Sequence, residues 1–305
     1  MTALPPAALH RGPAVMAGIA MVTAACACFA ALDTTTKYVS ASVPLVMALW
    51  FRYTFQAVAT TLAVLPMRGL SVLRTRHPKF QVLRGVLLLT SSLLAFASLK
   101  YMPVGEFTAI VMITPLAITL LAATLLKESV SALRWLLVAG GFIGTVIIIR
   151  PNSSEFNWAS LLPLGLVVTS AWFQVLTSKL ARTEDPITMH LYTGWVGTLL
   201  ASLALPFVWT ALPFWWLWAL LCFIGLMGTI GHFILILAYQ RAPAATLTPY
   251  LYSQIAFAML GGFIVFSHVP DGWSMVGIAM IAVCGAVGAW LTVRERRIPV
   301  EPVEA

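Results

Sequence analysis

Polar side chains that could hold a small molecule recur at helical spacing within otherwise apolar stretches of the chain. Tyr250 lies on one such face with Gln254 beside it, His232 and Tyr239 share a second face, and Ser91 lies on a third. A polar group among apolar helices is costly unless it is buried against a partner or hydrated. These faces therefore indicate a ligand site, and the alternative is helix packing, in which hydroxyl groups bond within their own helix.

Arg52 is the one formally charged side chain that the sequence places well inside an apolar stretch. A guanidinium binds a carboxylate through two parallel hydrogen bonds, so Arg52 could hold a substrate carboxylate. The alternative, which we favour from the sequence, is a structural ion pair with Asp33 or Glu106. Both acids fall near the ends of their apolar stretches.

Proline and aromatic residues add a second kind of candidate. Pro115, which follows Thr114, interrupts an apolar stretch near its centre, where proline removes a backbone hydrogen bond and bends a helix. A bend that serves packing alone would give the same sequence. Aromatic side chains recur near the predicted interior faces and suit a substrate with an apolar body and few polar groups. The candidate substrate-binding residues are Trp50, Arg52, Ser91, Tyr101, Thr114, Pro115, Trp172, His232, Tyr239, Tyr250 and Gln254.

Motifs that carry catalytic chemistry do not occur in the sequence. It contains no H-E-x-x-H, no G-x-S-x-G, no aspartate pair within an apolar stretch and no phosphate-binding P-loop. The five histidines are scattered, and the four cysteines lie in apolar stretches, where they act as small buried side chains. We therefore expect no catalytic residue, no metal site, no cofactor and no enzymatic activity.

Composition places these residues in a membrane protein. The 305-residue chain is 60% hydrophobic and 9% charged, whereas a soluble domain carries about 25% charged residues. About 20 apolar residues cross a bilayer as a helix. The predicted spans are 14–32, 44–66, 82–102, 104–126, 132–150, 159–180, 187–208, 215–239, 243–266 and 272–293.

Lysine and arginine residues are distributed unevenly between the two sides of the predicted spans. Most lie in loops on the side of both termini, whereas Lys37, Lys100 and Arg150 lie on the other side. The positive-inside rule places the basic side in the cytoplasm. We expect a multi-pass protein of a bacterial-type inner membrane with both termini cytoplasmic. The net charge of +8 does not indicate nucleic-acid binding, because the basic residues form no continuous surface.

An internal duplication organises the spans. Residues 44–51 align without a gap on residues 186–193, and Gly85 aligns on Gly225. Each copy holds five spans, and because five is odd, the second copy starts on the opposite side of the membrane. The predicted fold is all-α integral membrane, with ten transmembrane helices in two inverted five-helix repeats around a central cavity. The predicted repeats are 13–150 and 158–293, with cytoplasmic tails 1–12 and 294–305.

Local motifs in the first copy resemble a known family. The run 97–109 (ASLKYMPVGEFTA), Thr114–Pro115, the run 125–128 (LLKE) and the glycines at 140 and 144 resemble the first-domain pattern of the drug/metabolite transporter superfamily. Its ten-helix members carry two EamA domains. The resemblance implies alternating access through a central cavity and the export or exchange of amino acids and related metabolites. Two positions of the second copy depart from the pattern, His268 opposite Glu128 and Ile255 opposite Pro115.

Inverted repeats recur in secondary transporters, whose substrate site lies near mid-membrane between the halves. The sequence therefore predicts a secondary transporter that exports or exchanges small uncharged or zwitterionic metabolites, foremost amino acids that include aromatic ones. The alternatives are another metabolite (a nucleoside, a vitamin or a drug-like compound), a passive channel or an intramembrane enzyme. The predicted partners are a small-molecule substrate and the lipid bilayer, with no nucleic acid and a functional monomer. Because no acid lies deep in a predicted span, we expect facilitated or exchange transport.

Overall fold

The computed structural model describes residues 12–114, 116–117, 132–150, 157–180, 183–241, 247 and 250–295. These residues form ten α-helices and two short 3-10 helices, and no strand occurs among them. The helices are α1 (Gly12–Val39), α2 (Leu45–Arg68), α3 (Pro78–Tyr101), α4 (Val104–Val111), α5 (Ala132–Ile149), α6 (Leu162–Leu180), α7 (Pro186–Val208), α8 (Trp215–Arg241), α9 (Ser253–Phe266) and α10 (Gly272–Glu295). The 3-10 helices are Gly69–Leu73 and Trp158–Leu161.

Six segments are long and apolar enough to cross a membrane, judged by length and composition. They are Ala14–Val39, Leu45–Leu73, Pro78–Tyr101, Trp158–Thr177, Pro186–Val208 and Trp215–Ala238. Three further apolar helices are shorter, namely Trp135–Ile149, Ser253–Phe266 and Gly272–Gly288. The all-helical, multi-pass character predicted from composition is therefore confirmed. The predicted spans 104–126 and 243–266 extend in part outside the described residues.

Helix α1 continues past the predicted boundary at residue 32 and ends at Val39. Polar residues do not end it, because the Thr35 hydroxyl donates to the Ala31 carbonyl oxygen (2.7 Å) and so stays satisfied within the helix. Asp33 consequently lies inside the helix and is buried. This corrects the sequence-based placement of Asp33 near the end of a span.

The principal helix contacts join the first five helices to the last five. Helices α2 and α7 pack antiparallel, with Arg68 beside Asp185 at one end and Trp50 beside Ser202 towards the other. Helices α5 and α10 also pack together, as do α1 with α8 and α3 with α6. If each of the first five helices is exchanged with its counterpart among the last five, in chain order, the same pairs result.

A break in the helical backbone follows α4, and another precedes α9. Helix α4 ends at Val111, and Met112 and Ile113 form a turn. Tyr252 forms a turn immediately before α9. Residue 115, where the sequence predicts a bend, lies outside the described residues.

The bundle has two ends, which we name after basic residues. The Arg68 end holds the C-terminus of α2 and the N-termini of α3 and α7. There the buried Glu184 carboxylate accepts hydrogen bonds from the backbone N–H groups of Arg76 (2.9 Å) and His77 (3.0 Å). The Lys37 end holds the C-termini of α1 and α3 and the N-terminus of α8. These contacts fix the helix ends, and the polar cluster described next lies between them.

Candidate functional site

The buried side chain of Arg52 on α2 is the centre of a polar cluster between helices. Its guanidinium donates to the Ser92 hydroxyl on α3, and its Nη2 lies 3.3 Å from Nε2 of His232 on α8. The Tyr53 hydroxyl lies 2.8 Å from the same Ser92 oxygen. Two other helices therefore supply direct polar partners to one buried cation.

Aromatic rings and a glycine make room for the guanidinium. Its central carbon lies 5.1 Å from the centre of the Tyr53 ring and 5.9 Å from that of Phe96, distances at which a cation is attracted to a ring face. A Cβ at Gly228 on α8 would lie only 3.3 Å from the Arg52 Nε. That Nε is buried and has no hydrogen-bond partner among the described residues. The cation is thus held in place but retains an unused donor.

A carboxylate and an amide from two other helices belong to the same region, because Asp33 and Arg52 interact electrostatically. Asp33 on α1 accepts a hydrogen bond from the Gln254 amide (3.4 Å), and both residues are buried. Gln254 lies in the first turn of α9, directly after the break at Tyr252, so the break determines where its amide is presented. We refer to Asp33, Arg52, Tyr53, Ser92, His232 and Gln254 as the Arg52 cluster.

The ion pair that the sequence favours for Arg52 does not form as a direct contact. Within the described part of the chain, neither Asp33 nor Glu106 comes within ion-pair distance of the guanidinium. Glu106 instead contacts His268 at 3.0 Å. A hydroxyl group and an imidazole contact the guanidinium in place of a carboxylate. This arrangement suits a ligand that brings its own negative or carbonyl group.

A second buried arginine lies between Arg52 and the Arg68 end. Arg84 on α3 donates to the Met189 carbonyl oxygen and to the Thr193 hydroxyl (2.5 Å) on α7. Its side chain is buried in the bundle. Nearby, the Gln56 amide donates to the His190 carbonyl oxygen (3.1 Å). These bonds tie α2 and α3 to the backbone of α7.

The structure brings together three of the predicted site residues, Arg52, His232 and Gln254, and places the others elsewhere. Trp50 donates from its indole nitrogen to the Ser202 hydroxyl (2.8 Å), Ser91 donates to the Thr169 hydroxyl (2.8 Å) between α3 and α6, and Thr114 donates to the Val111 carbonyl oxygen (2.6 Å). Tyr101, Trp172 and Tyr250 are exposed. Pro115 and the side chain of Tyr239 lie outside the described residues.

Sequence reasoning named Asp33 only as a possible ion-pair partner of Arg52, and it did not include Tyr53 or Ser92 among the candidate site residues. A signal for Ser92 was present, because the alignment that sets Gly85 on Gly225 also sets Ser92 on His232. Two equivalent positions of the predicted repeats therefore contact the same guanidinium. The depth of Asp33 was misjudged because the predicted first span ended at residue 32, whereas the helix continues to Val39.

The chemistry of the cluster is that of binding. It presents a cation, an imidazole and hydroxyl groups on one side and a carboxylate with an amide on the other. In the part of the chain that the structure describes, no three His, Cys, Asp or Glu side chains converge as a possible metal site.

At the Lys37 end, hydrogen bonds from Arg150 and Ser274 hold the pKa of Asp271 below its usual range.

Comparisons with known proteins find relatives along nearly the whole chain. The model of the EamA-like transporter family matches residues 16–150. A riboflavin transporter of Vibrio cholerae is 31% identical over 289 residues, which cover 91% of this chain and 94% of that protein. An S-adenosylmethionine uptake transporter of Rickettsia bellii is 26% identical, with coverage of 82% and 85%. A solved crystal structure that is 22% identical matches with a TM-score of 0.65 over 93% of this chain and 100% of that one, which supports the fold.

Proposed function

The chain belongs to the EamA-like transporter family of the drug/metabolite transporter superfamily, and on this premise we propose that its substrate binds at the Arg52 cluster. The family carries small metabolites across membranes. A charged side chain buried in such a bundle costs free energy, so its presence marks a candidate functional site. The observation that carries the proposal is the Arg52 guanidinium, which has a buried Nε without a partner and no carboxylate in direct contact among the described residues.

We propose further that the chain consists of two inverted repeats, 13–150 and 158–293. Their relative movement would open this site first to one side of the membrane and then to the other. The helix pairings stay the same when the two sets of five helices are exchanged, and this symmetry supports the proposal. The position of Arg52 between Ser92 and His232, which align in the two copies, supports it as well. A site at the contact between two such halves can open to either side when one half rocks against the other.

We propose amino acids as the first substrate class, because the cluster offers partners for both ends of a zwitterion. Arg52 and His232 would hold the carboxylate, and Asp33 with Gln254 would hold the ammonium group. The rings of Tyr53 and Phe96 lie beside Arg52 and would contact an apolar side chain.

A flat heterocyclic metabolite is the second candidate class, because the relatives named above carry riboflavin and S-adenosylmethionine. S-adenosylmethionine combines both chemistries, since it has an amino-acid end and an aromatic base. The aromatic rings beside Arg52 would stack on the flat part of such a molecule.

Transport in proteoliposomes tests these proposals. Vesicles with the purified protein are given a labelled amino-acid mixture, riboflavin or S-adenosylmethionine, and both uptake and efflux are measured. We expect saturable transport of one class and its loss in Arg52→Gln, with normal expression and melting temperature. Transport that proceeds unchanged in Arg52→Gln would overturn the site, and the absence of flux for all three probes would overturn both substrate classes.

The proposed arrangement in the cell is a monomer in the inner membrane with both termini cytoplasmic. The uneven distribution of lysine and arginine supports this orientation. Single cysteines introduced at the Arg68 end and at the Lys37 end, labelled from outside intact cells, test it. We expect the reagent to modify the Lys37 end alone.

A further inference from the structure

A cavity of about 560 Å³ lies at the Lys37 end of the bundle. Its walls combine two ammonium groups with aromatic rings and hydroxyl groups, and the residues that matter are Lys37, Lys100, Tyr38, Trp216, Phe266 and Ser40. None of these residues belongs to the Arg52 cluster. We propose that this cavity is a separate binding site for a planar aromatic anion.

Charge is the first ground for the proposal. Lysine and arginine are scarce at this end of the bundle, where the sequence supplies Lys37, Lys100 and Arg150 alone. Arg150 forms an ion pair with Asp271. The remaining two residues, Lys37 and Lys100, line the same cavity, so the basic charge of this end is concentrated in one concave surface. Cations on the side where they are otherwise avoided indicate a specific use.

The state of Lys37 is the second ground. Its Nζ donates to the carbonyl oxygens of Leu99 (3.0 Å) and Met102 (2.9 Å), which fixes the ammonium group at the C-terminus of α3. An ammonium group has three donors, so one remains for a ligand. Glu106 acts on Lys37 electrostatically, and its carboxylate contacts His268. The fixed Lys37 and the exposed Lys100 together can hold an anion.

The aromatic wall is the third ground. The rings of Tyr38 and Trp216 lie 5.9 Å apart at an angle of 54°, and Trp216 stacks on Phe214 with 5.6 Å between the ring centres. Trp216 is therefore held in place by two aromatic neighbours, of which Phe214 lies parallel to it and Tyr38 is tilted. A flat ring that enters the cavity would stack against these faces while its acidic group reaches the lysines.

The cavity is also well placed relative to the Arg52 cluster. Lys37, which lines the cavity, lies one helical turn after Asp33 on α1, nearer the C-terminal end of that helix. Binding at the cavity does not require transport, and the test below measures binding alone.

Flavin mononucleotide and riboflavin are suitable probes, because they share one flat ring system and differ by a phosphate. Binding to the protein in lipid nanodiscs is followed by the quenching of flavin fluorescence. We expect saturable quenching by the mononucleotide that weakens as salt is added, because the attraction involves exposed charges.

Four variants locate the site. We expect Lys100→Gln to weaken mononucleotide binding about three- to fivefold, and Trp216→Leu to weaken it about tenfold. The matched controls are Lys79→Gln at the Arg68 end and Trp215→Leu, the exposed neighbour of Trp216, and we expect both to bind as the parent does. Absence of binding to the parent would overturn the proposal, as would equal binding by Lys100→Gln, Trp216→Leu and their controls.

The variant Arg52→Gln separates this site from the Arg52 cluster. We expect it to bind the mononucleotide as the parent does, even if it no longer transports. Loss of mononucleotide binding in Arg52→Gln, with Trp216→Leu unaffected, would assign the bound flavin to the Arg52 cluster and overturn the proposal.

Discussion

The Tyr252 hydroxyl donates a hydrogen bond of 3.2 Å to the backbone carbonyl oxygen of Met112, across 140 residues of sequence. Met112 lies in the turn after α4 and Tyr252 in the turn before α9. The alignment that pairs Gly85 with Gly225 pairs these two residues as well. The two helix breaks therefore meet each other at equivalent positions of the predicted repeats. Because Gln254 follows Tyr252, this contact also positions one side of the Arg52 cluster.

Gly285→Ala is expected to destabilise the protein. A Cβ at Gly285 on α10 would collide with the Tyr252 hydroxyl, so the ring must move and its bond to Met112 is lost. Overpacking of this kind costs about 1–3 kcal/mol. We expect the melting temperature in detergent to fall by several degrees.

Gly262→Ala on α9 is the matched control for that substitution, because nothing lies within 4 Å of its added Cβ. Alanine favours a helix over glycine by about 1 kcal/mol. We expect the melting temperature of Gly262→Ala to stay level or rise. Equal melting temperatures for the two variants would contradict the contact between Gly285 and Tyr252.

Ser92→Ala is expected to impair transport far more than Ser91→Ala. Ser92 accepts from the Arg52 guanidinium, and its loss removes a charged hydrogen bond worth about 1.5–3 kcal/mol that orients the guanidinium. We expect substrate affinity to fall because Arg52 is no longer held in the orientation that binds the substrate. Ser91 contacts Thr169 between α3 and α6 and does not touch Arg52. Initial transport rates at several substrate concentrations give the affinities, and similar effects of the two substitutions would contradict the assignment.

Asp33→Asn is expected to abolish a response of transport to a pH gradient. The sequence favoured uncoupled transport because no acid lay deep in a predicted span, but Asp33 is buried inside α1 beside Gln254 and interacts electrostatically with Arg52. A carboxylate in such a position can exchange a proton during transport, whereas asparagine cannot. The measurement compares the rates of parent and variant vesicles with and without an imposed gradient.

The parent protein provides the decisive comparison for Asp33. If its rate does not change when a pH gradient is imposed, Asp33 serves binding alone and the uncoupled prediction from the sequence is correct. Gln254→Glu is not a suitable control, because it would set two carboxylates side by side. Thr35→Val, which alters a hydroxyl that bonds within α1, is suitable.

Glu184→Ala is expected to destabilise the Arg68 end, whereas Glu184→Gln is not. The Glu184 Oε1 accepts from the N–H groups of Arg76 and His77 at the start of α3. Glutamine retains an acceptor oxygen, but alanine leaves both donors without it, at a cost of about 1–3 kcal/mol. Thermal unfolding of the two variants in detergent measures the difference. Equal destabilisation by both would show that the charge matters rather than the acceptor.

Sequence patterns predicted the helices well because apolar length is a local property. The observed α2, α7 and α8 begin and end close to the predicted spans. The end of α1 was misplaced because Asp33 and the following threonines lower the hydropathy without breaking the helix. The sequence did not single out Arg84, which lies within the predicted span 82–102, because the partners that allow its burial cannot be seen in the sequence. Its partners are a carbonyl oxygen and a hydroxyl on α7, more than 100 residues away in the chain.

By itself, the sequence determined that this protein is an all-helical membrane protein of a transporter family, because hydropathy and local motifs do not depend on distant contacts. It also singled out Arg52, His232 and Gln254, because polar residues in apolar helices are rare enough to be noticed one by one. Only the tertiary structure decided which polar residues meet. Whether Ser91 or Ser92 reaches Arg52 depends on how α3 is rotated, and that rotation is fixed by the packing of helices far apart in sequence.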